Sequence, residues 1–150
     1  MSEKEKQNFR IILEYIKDLS IETPSATALL YIRENLNTYN LDIDISSLVL
    51  KNKSLEITTK LILQDKNENN KNKAFFEIKY ATVINIDPLI TDKKIISKIV
   101  LCDLQKIIYP KIKKIFIDLI KNSGYPDIKF EKEVDFEKMY NEKFNWNNFF

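Results

Sequence analysis

Apolar and polar positions alternate with period two along several stretches of the first 86 residues. Between Leu13 and Glu22, Leu13, Tyr15, Leu19 and Ile21 fall on one side and Glu14, Asp18, Ser20 and Glu22 on the other. That pattern predicts a half-buried strand with a row of acids on its wet face. Pro24 has no amide hydrogen and biases Thr23 toward extended backbone, so regular pairing is expected to end there. Residues 41–45 predict a short second strand with Asp42 and Asp44 outward. Residues 53–65 predict a third, with Leu55, Ile57, Thr59, Leu61 and Leu63 inward and Glu56, Thr58 and Lys60 outward. Residues 74–86 predict a fourth, with Phe76, Ile78, Tyr80 and Ile84 on one face and Phe75, Glu77 and Lys79 on the other. The polar, Asn-rich run from Asp65 to Lys73 reads as a hairpin connection longer than the tight two-residue types. Four strands joined largely by hairpin-scale links imply an antiparallel sheet with one dry face.

The segment between Pro24 and Asn40 lacks strand alternation and reads as a long crossover loop, a brief helical turn being the alternative. Loops of that length tend to be functional or disordered. After the fourth strand the period changes to that of a helix. Thr91 is placed to cap a helix starting near Asp92. Ile95, Ile96, Ile99, Val100 and Leu104 mark an apolar side, continued by Ile108, Ile112, Ile115, Phe116 and Leu119. Pro110 predicts a kink or break just before it, and Gly124 followed by Pro126 predicts the stop. A final short helix is expected over residues 135–144, carrying Phe136, Met139, Tyr140 and Phe144. Strands first and helices afterwards predict an α+β fold. A four-stranded antiparallel sheet carries a long kinked helix and a short C-terminal helix packed on one face, within one domain over residues 1–150. Adjacent pairs such as Ile95–Ile96 and Phe116–Ile117 widen the helix's apolar surface beyond a stripe, which predicts oligomerisation through the helix layer.

Composition narrows the chemistry. The chain has 150 residues, 44% of them hydrophobic, enough for one core. It contains no histidine, the side chain most used for proton transfer near neutral pH. The single cysteine, Cys102, has no partner for a disulfide or a zinc cluster and reads as a small buried hydrophobe. One glycine, Gly124, leaves no material for a phosphate-cradling loop. A binding protein without metal, cofactor or catalytic residues is therefore expected. The charged start Ser2-Glu3-Lys4-Glu5-Lys6-Gln7 lacks a signal-peptide core, and no apolar run approaches the ~18 residues of a membrane span, so a cytoplasmic protein is expected.

Three pieces of the chain carry a family resemblance. Lys17-Asp18-Leu19-Ser20-Ile21-Glu22-Thr23-Pro24, within Tyr15–Ala26, resembles the first strand of SecB, the tetrameric protein-export chaperone family. Phe75-Phe76-Glu77-Ile78 is similar to the family's fourth strand. Gly124-Tyr125-Pro126 with Val134-Asp135-Phe136 is similar to its Gly-x-Phe-Pro turn and following helix start. The resemblance covers residues from about Phe9 to Phe144. It implies a homotetramer, a dimer of dimers with helices sandwiched between two outer sheets. It also implies that unfolded precursor polypeptides bind in apolar grooves and pass to the SecA motor. Carried over by position, SecA docking falls on Asp18, Glu22, Phe75 and Glu77. The unfolded-peptide groove falls on Leu29, Leu30, Tyr31 and Leu36 of the crossover segment and Met139 and Tyr140 of the last helix.

Two other functions compete. The chain closes on Asn145-Trp146-Asn147-Asn148-Phe149-Phe150, where the family carries a polar acidic tail that helps bind SecA. This departure favours a SecB-like chaperone for a dedicated non-export client such as an antitoxin. A remoter alternative is nucleic-acid binding through the eight lysines of residues 93–121, which oppose only Asp103 and Asp118. Those lysines alternate with isoleucines that need burial, so a solvated rim is the expected role and no nucleic-acid partner is expected.

Overall fold

The computed structural model describes residues 8–35, 38–67, 73–125 and 134–143. Strands β1 (Phe9–Glu22), β2 (Tyr39–Val49), β3 (Leu55–Asp65) and β4 (Phe75–Ile86) form one antiparallel sheet in the order β1-β4-β3-β2. Since β2, β3 and β4 are neighbours in sequence and in space, the β1–β2 connection must cross from one edge to the other, a Greek-key path. A helix lies within that crossover, α1 (Ala26–Glu34). After β4 the chain forms α2 (Lys93–Lys98), a π-helical stretch (Ile99–Asp103), α3 (Leu104–Asn122) and α4 (Phe136–Lys143).

The alternation of β3 holds along its length: Leu55, Ile57, Thr59, Leu61 and Leu63 are buried and join Phe76, Ile78 and Ile84 of β4 on the helix side. The alternation of β1 does not run straight. Its pairing with β4 shifts between Ile11 and Leu13 and again between Ile16 and Asp18, leaving Ile12 and Lys17 as bulge residues. Each bulge inserts one residue and reverses the parity of the strand beyond it. Directly opposed residues share a face. Leu19 and Ile21, opposite Ile78 and Phe76, therefore face the helices, whereas Leu13 and Tyr15, opposite Val83 and Ala81, face away from them. Glu14, expected on the wet side, lies opposite Thr82 on the helix side. There it accepts from Tyr80 Oη at 3.3 Å and from Lys111 Nζ at 3.1 Å, tying β1 to α3.

The crossover is helical rather than a loop. Ser25 Oγ accepts from the Ala28 amide at 3.2 Å, a side-chain N-cap, and Ala28 and Ile32 are fully buried four residues apart. Asp92, not Thr91, caps α2, its carboxylate accepting from the Lys94 amide at 2.9 Å.

The long helix does not break before Pro110, since α3 continues through it. Its departure from α geometry comes earlier. The Leu104 amide donates to the Ile99 carbonyl instead of Val100, one residue beyond α spacing. Gln105, fully buried, restores the missing donor: its Nε2 donates to the Val100 carbonyl at 3.2 Å, while its Oε1 accepts from Thr59 Oγ1 at 3.0 Å. An orphaned polar group at such a site costs about 1–3 kcal/mol, so this network fixes where the π stretch sits over β3.

The helix ends as the sequence predicts. Gly124 takes φ +99°, the left-handed region suited to glycine, and its amide donates to the Lys121 carbonyl. Pro126 lies outside the described residues. Cys102 is fully buried, and burial pushes its thiol up from the ordinary range, as a small core hydrophobe requires.

Helix α4 packs on the helix layer between Lys94 and Tyr109. Phe136 meets Tyr109 edge-on at 5.3 Å, Glu137 pairs with Lys106 at 2.8 Å, and Tyr140 Oη donates to the Lys94 carbonyl at 3.3 Å. Phe144 and the tail from Asn145 to Phe150 lie outside the described residues. No helix among the described residues is long and apolar enough to cross a membrane.

Candidate functional site

The face of the sheet turned away from the helices is laid out in rows by the strand register. Glu22 stands opposite Phe75, Ser20 opposite Glu77, and Asp18 opposite Lys79. The four residues predicted for docking, Asp18, Glu22, Phe75 and Glu77, thus share one face, two adjacent strands and three consecutive rows. Strands lie ~4.8 Å apart and alternate residues ~7 Å apart, so the four span roughly 14 Å along the sheet. Asp18 and Glu22 are exposed, and neither takes part in an ion pair among the described residues. The Glu77 side chain is more covered, 16% exposed, and meets Lys79 at 3.6 Å. Phe75 is half-buried beside them. An aromatic ring flanked by acids on an open sheet suits a cationic partner segment with an apolar contact at its centre.

Two features of this face depend on register and escape a reading of single strands. Glu56 of β3 accepts from Tyr15 Oη at 2.9 Å and Lys17 Nζ at 3.0 Å. The Lys17 ammonium, followed by the Tyr15 hydroxyl, holds the Glu56 carboxyl below its usual range. Lys17 sits at a bulge, and bulges leave no mark in composition. Second, Lys60 of β3 stands directly opposite Lys79 of β4, with Asp44 opposite Lys60 on the far side and Asp18 opposite Lys79 on the near side. Both lysines read as outward from the alternation; that they face each other does not.

The predicted groove residues divide between two places. Leu29 and Tyr31 are partly buried and Leu30 is 57% exposed on α1, which packs at the end of the sheet where α3 finishes. There Thr23 Oγ1 meets the Tyr125 hydroxyl, and Tyr125 lies edge-on to Phe76 at 4.8 Å. Met139 and Tyr140 pack on the core beside Lys94 at the start of the helix layer. No hydrogen bond, ion pair or ring contact among the described residues joins α1 to α4, and Leu36 lies outside the described residues.

The α1 end also holds Tyr39, whose hydroxyl is pushed up to about 12 by burial, with the nearby Asp65 carboxylate adding to the effect. In the unfolded chain a tyrosine ionises near pH 10. The fold therefore favours the neutral phenol: its contribution is complete below about pH 10 and declines as pH rises through about 12. Denaturant midpoints measured at increasing pH should fall above about pH 10. The Tyr39→Phe variant should lose part of that fall.

The family described as Preprotein translocase subunit SecB matches residues 2–147. A SecB-named protein of Pelagibacter ubique is 42% identical over 139 residues, 93% of this chain and 99% of that protein. Protein-export protein SecB of Rhodopseudomonas palustris is 28% identical, over 87% of this chain and 77% of its own length. Among solved structures, a SecB-like chaperone of Mycobacterium tuberculosis in complex with an antitoxin peptide superposes with a TM-score of 0.62. It shares 13% identity, over 85% of this chain and 88% of that one, and so a common fold. With the four-stranded sheet, the helix layer on one face and a family match along nearly all of its length, the chain belongs to the SecB family.

Proposed function

We propose that this protein is a cytoplasmic export chaperone. It acts as one non-catalytic domain over residues 1–150, holds unfolded precursor polypeptides in apolar grooves, and hands them to the SecA motor. The match to SecB across residues 2–147, with relatives named for protein export, carries this reading. It favours export over a dedicated antitoxin client, because the antitoxin-bound neighbour shares the fold at only 13% identity. Docking is assigned to Asp18, Glu22, Phe75 and Glu77, supported by their grouping on the outer face. Client contact is assigned to Leu29, Leu30, Tyr31 and Leu36 and, as a separate patch, to Met139 and Tyr140.

Assembly as a dimer of dimers is part of the proposal. It is supported by two apolar surfaces that a lone protomer leaves open. Edge strand β1 exposes Ile12, Leu13, Tyr15, Ile16 and Leu19 at 38–47%, and the helix layer exposes Ile95 and Ile107. A long apolar edge strand is a template for pairing with another chain. Burying such side chains stabilises association by ~25 cal/mol per Å².

Light scattering from a chemically unfolded precursor tests the reading. Stoichiometric protein should suppress the rise in scattering without nucleotide, and sedimentation should give the mass of a tetramer. An equal rise with and without the protein would remove the chaperone reading.

A further inference from the structure

The row Asp18–Lys79–Lys60–Asp44 crosses all four strands of the outer face with the charges ordered minus, plus, plus, minus. Like charges directly opposed across an antiparallel pair destabilise the sheet. An acid at either central position would only trade that contact for one with the neighbouring Asp44 or Asp18, so strand pairing favours neither arrangement. The two lysines border a notch of about 250 Å³ completed by Lys17, Asp44, Ser46 and Thr58. Lys17 is engaged by Glu56 at 3.0 Å, and Lys79 meets Glu77 only at 3.6 Å. Lys60 takes part in no ion pair among the described residues.

We propose that the segment docking on this face brings an acidic side chain into the notch between Lys60 and Lys79, next to the basic side chains that Asp18, Glu22 and Glu77 receive. This rests on the docking assignment above and specifies the partner's chemistry. A carboxylate there would accept from two ammonium groups, with the Thr58 and Ser46 hydroxyls within the same notch. The flanking Asp18 and Asp44 limit the site to a single carboxylate, because a polyanion such as nucleic acid would overlie an acid on either side. Glu77 and Lys79 are two residues apart on β4, about 7 Å. The partner therefore carries its acid within about 7 Å of a base, the spacing of residues i and i+2 in an extended segment. An acidic face meeting a purely basic segment would give the opposite response to changes at the lysines.

The sign of that response is the test. Purified SecA is titrated, at low salt, against the full-length wild type, Lys60→Glu, Lys79→Glu, a control Lys98→Glu on α2, and Asp18→Asn with Glu77→Gln. Melting is followed for each. Lys60→Glu is expected to leave the melting temperature nearly unchanged, because it trades the like-charge contact with Lys79 for one with Asp44, and to weaken SecA binding about tenfold through repulsion of the partner's acid. The Lys98→Glu control should leave binding unchanged. Unchanged or tighter binding by Lys60→Glu and Lys79→Glu, with loss in the Asp18→Asn, Glu77→Gln protein, overturns the acidic side chain and leaves the docking face standing. Absence of wild-type binding, or full binding by every variant, overturns the docking assignment and this inference with it. Weakening of SecA binding by Lys98→Glu equal to that by Lys60→Glu would show a general charge effect rather than a seated acid, which overturns the inference as well.

Discussion

Phe76→Ala is expected to destabilise the fold by about 3–5 kcal/mol, while Phe75→Ala, one residue earlier, should shift stability by no more than about 1 kcal/mol. The two rings leave β4 on opposite faces. Phe76 is fully buried against the helix layer and supports Tyr125, whose hydroxyl reaches Thr23 at the start of the crossover. Removing it opens a cavity between the sheet and the end of α3 and loosens the seat of α1 as well. Phe75 lies on the outer face opposite Glu22. Its loss should leave the melting curve nearly in place and weaken SecA association about tenfold, as for an aromatic anchor at an interface. Thermal melts and a SecA titration on both variants check the pair. Equal destabilisation by the two substitutions would mean that the outer face is covered by something that also supports the fold.

The second large effect is expected from charge. Asp18→Lys with Glu77→Lys should abolish SecA binding while client holding continues, since reversing two charges across an interface costs several kcal/mol. Asp18 is exposed, and surface charge pairs contribute only ~0–1 kcal/mol to folding. Glu77 is more enclosed, and a lysine there would join Lys79 and Lys60 on a crowded face. The neutral pair Asp18→Asn and Glu77→Gln therefore accompanies it, as a variant that removes the attraction without adding repulsion. Normal SecA binding by both double variants would show that docking lies elsewhere. A cooperative melt for the neutral pair ensures that lost binding is not lost folding.

Much of this molecule is legible along the chain, and the departures share a cause. The four strands, the helical period after residue 90 and the dry face of β3 are visible in local alternation, which registers burial directly. The four residues proposed for docking fall together because each lies outward in its own strand. The features that local alternation misses depend on contacts distant in sequence. Leu13 and Tyr15 look like dry-side residues, yet two bulges, set by pairing with β4, shift the phase of β1. The α1 helix looks like a loop because only Ala28 and Ile32 are fully buried, too few positions to display a period. Pro110 draws attention away from the true irregularity, since nothing in Ile99-Val100-Leu101-Cys102-Asp103 announces a π turn. The buried amide of Gln105 is the one local sign, a polar residue in an apolar run. The opposition of Lys60 and Lys79 also needs the pairing of β3 with β4.

The π stretch has a consequence for comparing this chain with its relatives. A helix that hydrogen-bonds one residue too far contains one residue more than a regular helix of the same length, while the turns before and after it keep their faces toward the core. Relatives that differ by a single residue in this helix should therefore be aligned with the gap between Ile99 and Asp103, and a relative lacking that residue keeps both apolar stripes intact. Gln105 then marks which version a chain has: where the extra residue is gone, the Val100 carbonyl regains a backbone donor and the position is free to become apolar.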